Sequence, residues 1–173
     1  MKMETSAKAK LYSLNYSNVK TYLFTLLFVA GNIALPQLCH LVPYGGPTVL
    51  PIYFFTLIAA YKYGFRVGLL TAILSPVINH LLFDMPSEAV LPIILIKSTL
   101  LAGASALAAH RVKSVSLLAI LGVVLSYQLI GTAFEWMIEG DFYIAVQDFR
   151  IGIPGILIQW FGGYALLKAI AKL

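Results

Sequence analysis

Lys97 lies in LPIILIKSTLLAGASALAAH, about eight residues from the start of an apolar run, which at 1.5 Å per residue is roughly 12 Å inside it. An ammonium that deep cannot easily snorkel to water, and ionisable groups within such runs mark ligand or ion sites or buried pairing. Its charge calls for a carboxylate, either Glu135 in GTAFEWMIEGDFY or Asp84 in FDMPSE, or for an anionic group on a ligand. An internal salt bridge that only fixes helix packing answers the same need, and both readings stay open.

Other polar side chains are spaced to form a binding pocket. Trp136 beside Glu135 brings an indole to the end of its run, where Trp also serves as a plain interfacial anchor. Gln159, Trp160 and Tyr164 fall within the last apolar run, and Tyr127 with Gln128 within the one before. Amides and phenols for hydrogen bonding beside an indole face suit a small heteroaromatic ligand, although buried amides also bridge helices without any ligand. Asn79 and His80 close a third run just before Asp84-Met85-Pro86, placed to cap or gate such a pocket, though a lone interfacial His is more often merely hydrated. Cys39 and His40 are weak metal candidates: both side chains can ligate a transition metal, including the cobalt of a corrinoid, but adjacent helical residues point about 100° apart.

Nothing in the sequence assembles a catalytic constellation. There is no HExxH, no phosphate-cradling glycine loop and no paired carboxylates within a run. A membrane enzyme using His80, Asp84 and Glu135 remains the weakest of three functional readings. With one cysteine no intramolecular disulfide forms, and no zinc spacing of Cys and His occurs.

The elements that must carry these residues follow from composition. Of 173 residues, 60% are hydrophobic and 11% charged, far from the balance of a soluble domain. A crossing helix needs roughly 20 apolar residues, and the runs fall near 19–42, 47–63, 66–83, 89–110, 114–138 and 149–171. They are continuous rather than alternating, which excludes a porin-like barrel. The expectation is an all-α integral membrane protein of six transmembrane helices: a cytoplasmic N-terminal tail over 1–17, without the features of a signal peptide, then one domain over 18–173.

Charge sets the orientation. Lys2, Lys8, Lys10, Lys20, Lys62, Arg66, Arg111, Lys113, Lys168 and Lys172 all fall on one side of a six-span arrangement, while Asp84, Glu88, Glu139, Asp141, Asp148 and Arg150 fall on the other. Because Lys and Arg are retained inside, both termini are expected in the cytoplasm of a cell-membrane protein. The net charge of +5 therefore reflects membrane topology, and no nucleic-acid partner is implied.

With these features in place the chain resembles the S component, the substrate-binding subunit of energy-coupling factor vitamin transporters. Ala30 and Ala34 reproduce that family's small-xxx-small motif on helix one, and Pro51 in GGPTVLPIYFFTLIAAYKYG matches the proline opening helix two. YGFRVGLLTAILSPVINHLLFDMPSE resembles the glycine-rich turn into helix three, and Lys97 stands where helix four of many members carries a lysine. The resemblance implies capture of a vitamin or cofactor precursor from the outer side. It implies no intrinsic cofactor, docking through Ala30 and Ala34 onto a transmembrane coupling subunit, and ATP hydrolysed by two partner ATPases. A small intramembrane scaffold without a ligand is the alternative.

Overall fold

The structure is a computed structural model that describes residues 10–172. Among them it is helical, with no strand. The first long helix, α1 (Val19–Cys39), starts at Asn18, whose side-chain oxygen accepts the Lys20 N–H at 3.0 Å. It carries Pro36 in its interior.

The second expected span is broken. A short helix, α2 (Gly45–Val49), ends at Leu50, a left-handed residue with φ 50°, and a 3₁₀ turn over Pro51–Tyr53 leads into α3 (Phe54–Tyr63). The residue before a proline is pushed out of the right-handed helical region, and proline fits the first turn of the helix that follows it. Leu50-Pro51 thus ends one helix and begins another.

Every residue of α3 from Thr56 to Tyr63 is buried, so this helix is the centre of the bundle. It packs against α1, α4 (Phe65–Phe83) and α5 (Leu91–Val112). The α3–α4 reversal is made by one residue, Gly64 at φ 95°, a conformation that side chains other than glycine's rarely adopt.

A long α6 (Leu117–Glu139) follows, capped by Ser116. Three short helices come next: α7 (Phe142–Ala145), α8 (Gln147–Arg150) and α9 (Ile153–Leu157). A π-helical turn over Ile158–Gly162 then joins α9 to α10 (Gly163–Ala169). The sixth expected span is therefore a composite rather than one regular helix.

Four helices, α1, α4, α5 and α6, are long and apolar enough to cross a membrane. Leu23, Leu26, Leu27, Leu81, Leu118 and Leu129 point outward from them, an apolar exterior suited to lipid.

The two ends of the bundle differ in charge. At one end Tyr61 Oη donates to the Ser114 carbonyl at 2.8 Å, and the Lys62 ammonium donates to the carbonyls of Lys10 at 2.7 Å and Ala171 at 3.3 Å. Arg66, Arg111, Lys113 and Lys168 share that end. Lys62, expected at the end of the second span beside its turn, is fully buried in the last turn of α3.

Residues 1–9 of the expected tail lie outside the described residues. Residues 10–14 are not a free tail, because Lys10, Tyr12 and Leu14 donate backbone hydrogen bonds to Ala171, Lys62 and Tyr63, and Tyr12 stacks on Tyr63 at 5.7 Å.

Candidate functional site

At the opposite, acidic end lies a cavity of about 260 Å³, just below the roughly 300–1,000 Å³ of ordinary small-molecule sites. Its wall draws on the C-terminal turns of α1 and α4, the chain from Gly46 to Tyr53, the Met85–Ser87 loop, the first half of α5, Glu135 of α6, and Gln147 and Asp148 of α8. Most of this wall is apolar, with four prolines among its residues.

One charged cluster interrupts it. Lys97 Nζ lies 2.5 Å from Glu135 Oε2 and 2.8 Å from Asp148 Oδ2, and Lys97 is only 2% exposed. Gly131, one turn before Glu135 on α6, makes room for this arrangement: a Cβ there would come 2.5 Å from Lys97 Cγ. The lysine stem therefore lies across a bare patch of α6 and delivers its ammonium to the acid above. Asp148 arrives from the other side, on α8, flanked in sequence by buried Ala145 at the end of α7 and by buried Gly152 and Gly155 at the start of and within α9.

The opposite wall is built on Asn32. Its Nδ2 donates to Thr56 Oγ1 at 3.0 Å and Ser75 Oγ at 3.2 Å, and its Oδ1 accepts the Phe55 N–H at 3.2 Å, tying α1 to α3 and α4. Pro36 has no N–H to offer the Asn32 carbonyl four residues back. That freed carbonyl accepts Asn79 Nδ2 at 2.9 Å. Pro36 and Asn79 both face the cavity, so the proline that interrupts the helix ladder creates the bond that pins Asn79.

Three of the four non-glycine residues with positive φ among the described residues lie at this end: Tyr44, Leu50 and Asp84, with φ values of 59°, 50° and 54°, while Lys113 at 54° caps α5 at the basic end; this region costs residues other than glycine about 1–3 kcal/mol.

The residues singled out from sequence divide sharply. Asn79, Lys97 and Glu135 line the cavity, and so does His40. His80 lies just outside, its Nδ1 2.8 Å from the Pro86 carbonyl, where it anchors the loop that does line it. Asp84 does not partner Lys97; it is exposed and forms the left-handed cap of α4, and Asp148 takes the role expected of it. Trp136 is half exposed with its ring edge-on to Phe142 at 5.3 Å, away from the cavity wall.

The group expected from the last run belongs elsewhere. Trp160 Nε1 donates to the Leu117 carbonyl at 2.9 Å. Leu117 and Glu135 stand at opposite ends of α6, about 27 Å apart along the helix, so this indole does not stack on a ligand held beside Glu135. Tyr164 Oη accepts from Lys168 Nζ at 3.2 Å near the basic end. Tyr127, Gln128 and Gln159 form a buried cluster behind the cavity: Tyr127 Oη donates to Gln159 Oε1 at 2.7 Å and accepts from Gln128 Nε2 at 3.0 Å. Tyr53 bridges the two regions, lining the cavity while its ring lies 5.3 Å from that of Tyr127.

Cys39 is off the wall, and among the described residues no group of three His, Cys, Asp or Glu side chains is placed to hold a metal. Ala30 and Ala34 lie on the exposed outer face of α1, whereas Gly31 packs on the Phe55 ring and Asn32 is fully buried.

Asp148 and Tyr53 were missed in the sequence. For Asp148 a signal existed: Ala145, Asp148, Gly152 and Gly155 are spaced three, four and three apart, a helical spacing that runs from the acidic loop into the last apolar run, which the structure divides among α7, α8 and α9. Comparison with protein-family models, curated proteins and solved structures finds no match to this chain.

Proposed function

We propose that this chain is a membrane-embedded substrate-capture subunit of the energy-coupling factor type, binding a vitamin or cofactor precursor at its acidic, outward end. In this reading the chain crosses a cell membrane six times, the broken second and sixth segments included, with both termini in the cytoplasm. The observation that carries it is a cavity with a largely apolar wall, entered by one buried ion cluster, at the end of the bundle away from the basic residues. Few polar groups in an apolar cleft is the usual build of a small-molecule site. The volume favours a compact heteroaromatic ligand over a corrinoid. Delivery falls to a partner transmembrane subunit docked on the Ala30 and Ala34 face of α1 and to two ATPases that hydrolyse ATP.

A second reading has its own observation. Lys97 is already paired inside the bundle by Glu135, as an intramembrane scaffold needs without any ligand. Catalysis by His80, Asp84 and Glu135 has no such support, because His80 and Asp84 lie outside the wall to which Glu135 belongs.

Mass spectrometry of small molecules extracted from the detergent-purified full chain separates the first two. Capture predicts one compound at near-stoichiometric amount that protects the protein against thermal unfolding when added back. Absence of any such compound, together with no uptake in cells carrying the chain and its partners, supports the scaffold.

A further inference from the structure

The charge within the cavity wall does not balance. One ammonium, Lys97, meets two carboxylates, Glu135 and Asp148, whose side chains are 14% and 12% exposed. One carboxylate would neutralise it. The second leaves an excess negative charge facing a space whose other walls are largely apolar, and among the described lining residues His40 is the only other side chain able to carry a positive charge. A low-dielectric cleft lined by one sign of charge focuses its field on whatever enters.

We infer that the cavity selects a ligand carrying a positive charge: a compact organic cation such as a protonated amine, an amidinium or an N-alkylated heteroaromatic ring. This rests on the capture reading and names its substrate class. An anionic group is disfavoured by geometry as well as by charge. Lys97 is almost wholly covered, its stem is held against Gly131 and its ammonium sits between the two acids, so an anion reaching it must displace a carboxylate while facing the other. A cation meets both acids at the cavity wall directly. The Tyr53 ring on the same wall adds a face of the kind that attracts cations.

The test uses three probes that share one body and differ in charge: benzamidine as cation, benzamide as neutral isostere and benzoate as anion. Each is titrated against the detergent-purified full chain by calorimetry and by thermal shift. The expected result is that benzamidine binds at least about tenfold more tightly than benzamide, with benzoate weakest. Asp148→Asn reduces the benzamidine preference by about tenfold, and Glu135→Gln serves should that variant fail to fold. Equal or tighter binding of benzamide or benzoate overturns the charge assignment and leaves small-molecule capture standing. Binding of none of the three overturns it as well, and the extracted-compound and uptake measurements then judge capture separately. The wild-type panel is decisive without the variants.

Discussion

Replacing Lys97 by Met keeps a flexible unbranched stem, one atom shorter, and removes the charge together with its two hydrogen bonds. The two carboxylate oxygens it bridges, at 2.5 and 2.8 Å from one nitrogen, are then at most about 5.3 Å apart, and at an effective dielectric of about 20 they repel by about 3 kcal/mol. Removing one partner of a buried ion cluster costs about 3–5 kcal/mol in general, so Lys97→Met should destabilise the fold by about that amount. The reasoning makes a sharper claim in a second background. With Glu135→Gln and Asp148→Asn already present, Lys97 is a buried cation without its acids, and adding Lys97→Met should stabilise rather than destabilise. The assay is reversible unfolding in mixed micelles, with thermal midpoints as a check. A loss below about 1 kcal/mol in the wild-type background, or the same loss in both backgrounds, refutes the buried three-membered cluster.

Asn32→Leu removes three side-chain hydrogen bonds joining α1, α3 and α4; at about 0.6–1.7 kcal/mol each within a membrane bundle, a loss of about 2–5 kcal/mol is expected in the same unfolding assay. Alanine for glycine within a helix ordinarily stabilises by about 1 kcal/mol, and Gly122→Ala on α6, with open space around it, should do so. Gly131→Ala should instead destabilise by about 1–3 kcal/mol, because the new methyl meets the Lys97 stem; a gain at both positions would contradict the lysine path. Asp84→Gly relieves a left-handed cap and should raise stability by about 0.5–1 kcal/mol without changing probe affinity, which calorimetry checks. Ala34→Trp should leave binding intact and abolish ATP-dependent uptake into cells carrying the partner subunits, and undiminished uptake removes the docking assignment.

The four long helices were legible because hydropathy and length alone identify a segment that must satisfy its backbone internally. The second run was legible as apolar but not as broken. Its composition matches a span, and only the local rule for the residue preceding Pro51 locates the break at Leu50. Lys62 misled for a related reason: charge counting assigns a lysine near a turn to water, whereas its ammonium finds two backbone carbonyls from opposite ends of the chain. The last run misled most. Counting places Trp160 about ten residues into its run but not the direction of its ring, and its indole N–H is bonded at the far end of α6 from Glu135.

Within the site, scarcity made Lys97 and Glu135 readable, since two opposite charges in neighbouring apolar runs have few other partners. Asp148 was hidden by its company, one of several acids in a stretch that reads as a loop. Its recruitment changes what the cluster means. A lone Lys97–Glu135 pair would be electrically closed and would suit a helix-packing role as well as a binding role. With a second carboxylate at 2.8 Å the pair becomes an unbalanced trio, and a structural role alone has no use for the extra charge, because every buried ion adds desolvation cost. Packing by itself would be better served by Asn at position 148. The acid there is what turns the capture reading from a statement about space into one about the charge of the ligand.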